Sequence, residues 1–318
     1  MNQDTSPVSV VNWLLFIALA LTWGSSFILM KYGLESFSYG QIGLLRIALA
    51  FWFMVLIAFR KFRRLKKEDV LPLIAVGLFG NAIPYMLFPL AITELPSGLV
   101  GILNSLVPLF TLIIGLIWFK FKAGLPSVIG IAVGFAGAIW LLTPDLEMEG
   151  TRMIYGIYPI LATVCYAISI NVISARLQHL DSVSITLLSL MFAGVPCTVV
   201  LLSGDFLDIM GTDPAAWKNL GYIAILGVVG TSLAVIMFNQ LIKKAGSLFS
   251  ASVTYAIPVV ALLWGVYDGE ALGWRHVIGM LAIILGVYII NMRQYFRKAL
   301  QRWRGKKNPS PSLTERDP

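Results

Sequence analysis

The side chains that could do chemistry in this 318-residue chain are few and deeply embedded. Long apolar runs hold Trp23, Asn81, Tyr85, Asn104, Tyr166, Thr231 and Tyr255 near their middles. Amide, hydroxyl and indole groups in such surroundings suit the hydrogen-bonding of a small polar molecule, with aromatic faces as walls. The competing use is to bridge one helix to another, at about 0.6–2 kcal/mol per contact. One formal charge stands well inside a run: Arg46, about five residues from the start of the stretch 41–59. From that depth it can snorkel outward, and Glu35 or Glu94 is the expected structural partner. Glu94 is also where a carboxylate could still take up and release protons, because no Asp or Glu lies in the middle of any run.

Catalysis finds no set of residues. The two histidines, His179 and His276, fall at the ends of runs, and neither neighbours a carboxylate–cysteine set. Cys165 and Cys197 lie inside runs as buried thiols, with no disulfide framework and no metal spacing. No catalytic residue, metal site or cofactor is expected. The lack of a core carboxylate leaves a cation without a counter-ion, so neutral, zwitterionic or anionic small molecules fit better.

The elements that must position these residues are set by composition. Hydrophobic residues make up 58% of the chain and charged ones 13%, against about 25% charged in soluble domains. Apolar runs recur at 12–31, 41–59, 71–92, 97–119, 125–142, 154–176, 183–202, 219–242, 247–267 and 276–292. Each is long enough to cross a hydrocarbon core of about 30 Å as a helix. The reading is an all-α, multi-pass integral membrane protein with ten transmembrane helices. The first run lacks the basic start and cleavage site of a signal peptide, so it reads as a retained helix.

Charge then orients the bundle. Of the 24 Lys and Arg, 19 fall on the even-numbered connections and the C-terminal tail, including RKFRRLKK at 60–67. The odd connections carry four: Lys31, Arg152, Lys218 and Arg275. The positive-inside rule puts both termini in the cytoplasm. In the tail, 293–307, Phe296, Leu300 and Trp303 recur among basic residues, the pattern of a helix lying on anionic membrane lipid rather than on nucleic acid. Residues 308–318 read as disordered.

Two runs carry a proline near the centre, NSLVPLFTLIIG at 104–115 and TYAIPVVALLWG at 254–265. Proline costs about 3 kcal/mol in a helix interior. The pair becomes intelligible when 73–119 is aligned with 223–269. Gly77 meets Gly227, Gly80 meets Gly230, Phe88 meets Phe238, Pro108 meets Pro258 and Gly115 meets Gly265. Gly137 meets Gly286 at an offset of 149, and helices one and two match six and seven at about 143, with Trp23 opposite Tyr166. The polar pairs Asn81/Thr231 and Asn104/Thr254 also correspond. The chain divides into halves at 12–142 and 154–292. Five spans per half is odd, so the second half must be inverted in the membrane. Inverted repeats with kinked helices in matching positions mark secondary transporters, with the site near mid-depth. Pro108 and Pro258 are then kinks lining a central cavity.

LTWGSSFILMK at 21–31, QIGLLRIALAF at 41–51, ELPSGLVGILNSLVPLF at 94–110 and SLFSASVTYAIPVVALLWG at 247–265 resemble the EamA family of the drug/metabolite transporter superfamily. The resemblance covers about residues 12–292. It implies ten helices in two inverted EamA repeats and a bacterial inner-membrane carrier, often an exporter of amino acids or other metabolites. It does not name the substrate, and it leaves monomer and homodimer open. A passive facilitator, a channel and a lipid scramblase stay as alternatives, because a polar interhelical path would serve them too.

Overall fold

The computed structural model describes residues 10–119, 125–142, 152–271, 273–286 and 288–289, and among these every regular element is helical. Among the described residues eight helices are long and apolar enough to cross a membrane. They are α1 (Val10–Gly33), α2 (Tyr39–Lys61), α3 (Lys67–Ile92), α4 (Ser97–Trp118), α6 (Ile154–Arg176), α7 (Ser182–Ser203), α8 (Ala216–Ala245) and α9 (Phe249–Tyr267). The two remaining runs also form apolar helices, α5 (Leu125–Leu142) and the shorter α10 (Trp274–Gly286). The tail at 293–318 lies outside the described residues.

Local chemistry sets several helix ends. Ser38 and Gln41 form a reciprocal capping box at the start of α2, Ser38 N–H donating to Gln41 Oε1 at 2.8 Å and Gln41 N–H to Ser38 Oγ at 3.2 Å. Asp181 caps α7, its carboxylate accepting from Ser184 N–H and Ser184 Oγ–H at 3.0 and 2.8 Å. Gly246 ends α8 at φ 86°, a conformation that a side chain would strain.

The helices are interrupted at matching places in the two halves. In α4 a 3₁₀ turn, Asn104–Leu106, precedes the α segment Val107–Phe119; in α9 the turn Ser252–Tyr255 precedes Ile257–Tyr267. Pro108 and Pro258 each stand second in the restarted helix, where a missing N–H is cheap. That resolves the proline question: the chain breaks one turn earlier and restarts with proline already in its tolerated position. In α3 and α8 the interruption is a π segment, Leu78–Ala82 and Val228–Leu233. Asn81 Nδ2–H donates to Val76 O at 3.3 Å and Thr231 Oγ1–H to Leu226 O at 3.1 Å, so the matched polar pair satisfies matched carbonyls.

Close helix contacts also recur with the partners exchanged. A Cβ on Gly77 would lie 2.4 Å from Ser189 O, and one on Gly227 3.2 Å from Arg46 O. Gly80 faces Ser169 Oγ, as Gly230 faces Ser26 Oγ. Gly137 packs on Gly279 O, and Gly286 on Gly130 O. In each case the sequence offset carries one contact onto the other. The same holds for two polar contacts: Asp69 accepts from His179 Nε2 at 2.9 Å, and Asn219 Nδ2–H donates to Ser36 Oγ at 2.8 Å.

One end of the bundle is tied through Glu270, whose side chain is 4% exposed. It accepts from Ser97 N–H (3.0 Å), Ser97 Oγ–H (2.6 Å), Gly98 N–H (3.0 Å) and Lys31 Nζ (3.0 Å). Lys31 also pairs with Asp268 at 2.5 Å, and Tyr32 O–H donates to Asp268 at 2.8 Å. The opposite end is held by Lys61–Asp181 at 3.0 Å, Asp69–His179, and Lys243 Nζ donating to Leu180 O.

Candidate functional site

A cavity of about 80 Å³ lies between the two halves. Water needs about 10–15 Å³ of such space, so the cavity admits several waters or the polar part of a small solute. Its lining is built largely from residues paired by the repeat: Trp23 with Tyr166, Ser26 with Ser169, Phe27 with Ile170, and Met30 with Ile173. From α3, α4, α8 and α9 come Tyr85 with Val235, Phe88 with Phe238, and Asn104 with Thr254. Arg46, Val76, Gly80, Asn81, Val107 and Asn239 line it without a lining counterpart, and Arg46, Asn81 and Asn239 are the polar ones among them.

Five of the seven residues expected at the site, Trp23, Asn81, Tyr85, Asn104 and Tyr166, line this cavity. Trp23 is anchored by its Nε1–H to Gly230 O at 2.9 Å, inside the π segment of α8, with its ring edge-on to Phe238. Asn81 accepts from Tyr85 O–H at 3.0 Å, and Tyr166 stacks on Phe88 with ring centroids 5.8 Å apart. Thr231 does not line the cavity; it is fully buried and holds Arg46 in place. Tyr255 does not line it either, and its neighbour Thr254 takes that place. Both cysteines are free and half-buried rather than fully buried.

Arg46 is where the structure departs most from the sequence expectation. It does not snorkel outward to Glu35 or Glu94. The residue is 4% exposed, its Nε–H donates to Thr231 Oγ1 at 2.8 Å, and its guanidinium sits 3.7 Å above the centre of the Tyr85 ring. The reason is local: the π segment turns Thr231 toward α2, and Tyr85 offers a cation–π surface that replaces part of the lost hydration. Among the described residues no Asp or Glu lines the cavity, so the cation faces it without a carboxylate partner there. Glu94 is not among the lining residues.

Two buried acceptors complete the polar set. The side-chain oxygens of Asn104 and Asn239 have no hydrogen-bond partner among the described residues, although the residues are only 5% and 1% exposed. Asn239 escaped the sequence reading because it stands toward the end of its run and faces Pro89 in the repeat alignment, so no polar pair marked it. Its neighbour Phe238, matched to Phe88, was the signal that this turn reaches the site. Among the described residues no cluster of His, Cys, Asp and Glu could hold a metal.

The EamA-like transporter family matches this chain twice, over residues 12–143 and 153–292. An uncharacterized transporter of Archaeoglobus fulgidus is 29% identical over 281 residues, covering 86% of this chain and 98% of the relative. The uncharacterized inner membrane transporter YedA of Escherichia coli is 25% identical, with 87% and 90% covered. A protein of Streptantibioticus cattleyicolor named as a probable terminal-alkyne amino-acid exporter is 21% identical, with 92% and 96% covered. A solved crystal structure shares the fold at a TM-score of 0.61 and 16% identity, over 88% of this chain and 97% of that one. With apolar helices enough for a multi-pass inner-membrane protein and two family matches that together span nearly its whole length, the chain belongs to the EamA-like transporter family.

Proposed function

We propose that this membrane transporter is an alternating-access exporter of small zwitterionic or anionic metabolites, amino acids among them. In this reading α5 and α10 complete ten spans, the halves are inverted, both termini are cytoplasmic, and the substrate binds in the cavity at mid-depth. The carrying observation is the cavity itself: it is lined largely by repeat-matched residues from both halves and holds a buried arginine with no lining carboxylate among the described residues. Exchange of helix contacts under the repeat offset supports the inverted arrangement, since inverted repeats rock about a site they share. The named relative's amino-acid cargo supports the substrate class.

Counterflow in proteoliposomes tests it. Vesicles preloaded with unlabelled L-leucine, L-phenylalanine or L-glutamate should accumulate the labelled amino acid transiently for at least one of them. Movement of labelled lipid without any solute counterflow would replace this reading with a scramblase. Solute equilibration without counterflow would make the protein a channel.

A further inference from the structure

The cavity has a cationic pole and, separately, two lining asparagines, Asn104 and Asn239, whose carbonyl oxygens have no partner among the described residues. Asn239 is held so that its oxygen must be the free end. Its Nδ2–H donates to Thr186 Oγ1 at 3.0 Å, and Thr186 spends its own hydroxyl proton on Ser182 O at 2.9 Å. The threonine oxygen can therefore only accept, which fixes the amide nitrogen toward it and the amide oxygen away from it. All three residues are buried, Thr186 completely, so the relay is rigid. Asn104 sits in the 3₁₀ turn that precedes Pro108, where the broken helix brings it to the cavity wall, and its oxygen is likewise buried and unmatched.

A buried acceptor without a donor is a standing cost, recovered when a ligand or water supplies an N–H or O–H. Two such acceptors on residues lining one cavity, each residue more than nine-tenths buried, can read a donor. They belong to different helices and different halves, α4 and α8, so a bound donor would link the halves.

We infer that Asn239, oriented by Thr186, and Asn104 form the pole that accepts a substrate's ammonium or amide N–H groups, while Arg46 takes its anionic group. This deepens the reading above and rests on it. The pole is neutral, so it discriminates by hydrogen bonding rather than by charge. A cation lacking an anionic group meets Arg46 with nothing to offer it and is rejected. An acid lacking the amine can still pair with Arg46 but leaves both oxygens unmet. A site built to bond a polar group rejects the analogue that lacks it strongly, for that reason.

Three probes of one carbon skeleton separate these contributions: L-leucine, 4-methylpentanoate (no amine) and isoamylamine (no carboxylate). Each is titrated against the full chain in nanodiscs, and the affinity ratio within one variant is read, which does not depend on how much protein folds. The parent should prefer leucine over 4-methylpentanoate by about 10-fold or more. Asn239→Leu should bring that ratio near unity while leaving 4-methylpentanoate binding within about twofold. Thr186→Val, which frees the amide without removing it, should lower the ratio by a smaller factor. Binding of leucine by the parent with the ratio intact in Asn239→Leu and Asn104→Leu would overturn this inference and leave the transport reading standing. No binding of any probe to the parent, together with no counterflow of amino acids, would remove the substrate class and this inference with it.

Discussion

The two halves of the chain share a scaffold and differ in what they carry. Both have a π segment in the third helix, a 3₁₀ break before proline in the fourth, and glycine contacts that map onto each other. At the cavity the first half supplies Arg46, Asn81, Tyr85 and Asn104, where the matching positions of the second hold Ser189, Thr231, Val235 and Thr254. Under the proposed function, geometry that both halves would need to rock against each other is duplicated. The side chains proposed to read a substrate are not, as expected for a substrate with unlike ends, which has no two-fold symmetry to match. Residues where the halves differ should then govern recognition, and residues where they agree should govern stability.

The largest effect should come from Arg46 against its counterpart Ser189. Removing a cation that makes charge-assisted bonds forfeits about 1.5–3 kcal/mol. Arg46→Met should therefore raise the half-saturation concentration for a carboxylate-bearing substrate roughly 10–100-fold. Arg46→Lys keeps the charge but loses the planar face over Tyr85 and the Nε–H to Thr231, so it should recover only part of this. Ser189→Ala should change affinity less than about twofold. Equal losses from the two positions would mean that the difference between the halves has no bearing on recognition.

Next in size is a pair where the halves agree in kind but not in tightness. A Cβ at position 77 meets a backbone oxygen at 2.4 Å, which cannot swing aside, whereas at 227 the nearest atoms lie at 3.0–3.2 Å. Overpacking costs about 1–3 kcal/mol. Gly77→Ala should fall in that range, and Gly227→Ala below about 1 kcal/mol, measured by thermal or denaturant unfolding in detergent. The reverse order would show that α3 and α7 are not packed as described.

How far the residues alone could lead follows from the same comparison. The apolar runs, the repeat and the proline pair are periodic or duplicated, so they stand out without a structure. The family resemblance stated from the motifs agrees with the family match over both halves. Facing is harder to read. Tyr255 and Thr254 are one residue apart, and which of them meets the cavity depends on the rotation of a broken helix. Arg46 was read by depth alone, and depth cannot say that a π segment in α8 would present Thr231 to it. Asn239 stood outside the middle third of its run and had no polar partner in the repeat. Asn239 lies where the repeat is broken, whereas Ser169 and Phe238 follow the repeat and reach the cavity through the facing of their helices.

The two ends of the bundle give a smaller, pH-dependent contrast. Burial alone would raise the Glu270 carboxyl, but bonds from Ser97, Gly98 and Lys31 outweigh it and hold the group below its ordinary range. Asp268 is likewise lowered: burial opposes this, and Lys31 and Tyr32 prevail. At the other end burial again opposes, yet Ser184 and Lys61 bring Asp181 down to about 2. A carboxyl depressed on folding contributes stability above its unfolded value, near 4, and loses it as pH falls through the folded value. The bonds of Glu270 and Asp268 at one end and of Asp181 at the other should therefore hold from pH 8 to about 5 and loosen only below about 4. Glu270→Gln removes the ionic bonds at any pH. It should speed alkylation of a cysteine introduced at Ser36, on the loop just beyond Lys31 and Tyr32, by several-fold at pH 7. A labelling rate unaffected by the substitution would show that Glu270 closes nothing.

The smallest effect belongs to the polar contact that appears in both halves with different atoms. Asp69 accepts from His179 through one oxygen and leaves the other buried without a partner. Its counterpart, Asn219 bonded to Ser36, does the same work without a charge. An amide oxygen can accept the His179 Nε2–H as the carboxylate does, and the amide needs less solvation than an anion. Asp69→Asn should therefore shift unfolding by less than about 1 kcal/mol, with either sign. Asn219→Ala, which leaves Ser36 without its donor, should cost about 0.5–1.5 kcal/mol. If Asp69→Asn proved the more damaging of the two, the carboxylate would be required in its own right. The contact at that end would then be one of the departures from symmetry, grouped with Arg46 rather than with the shared scaffold.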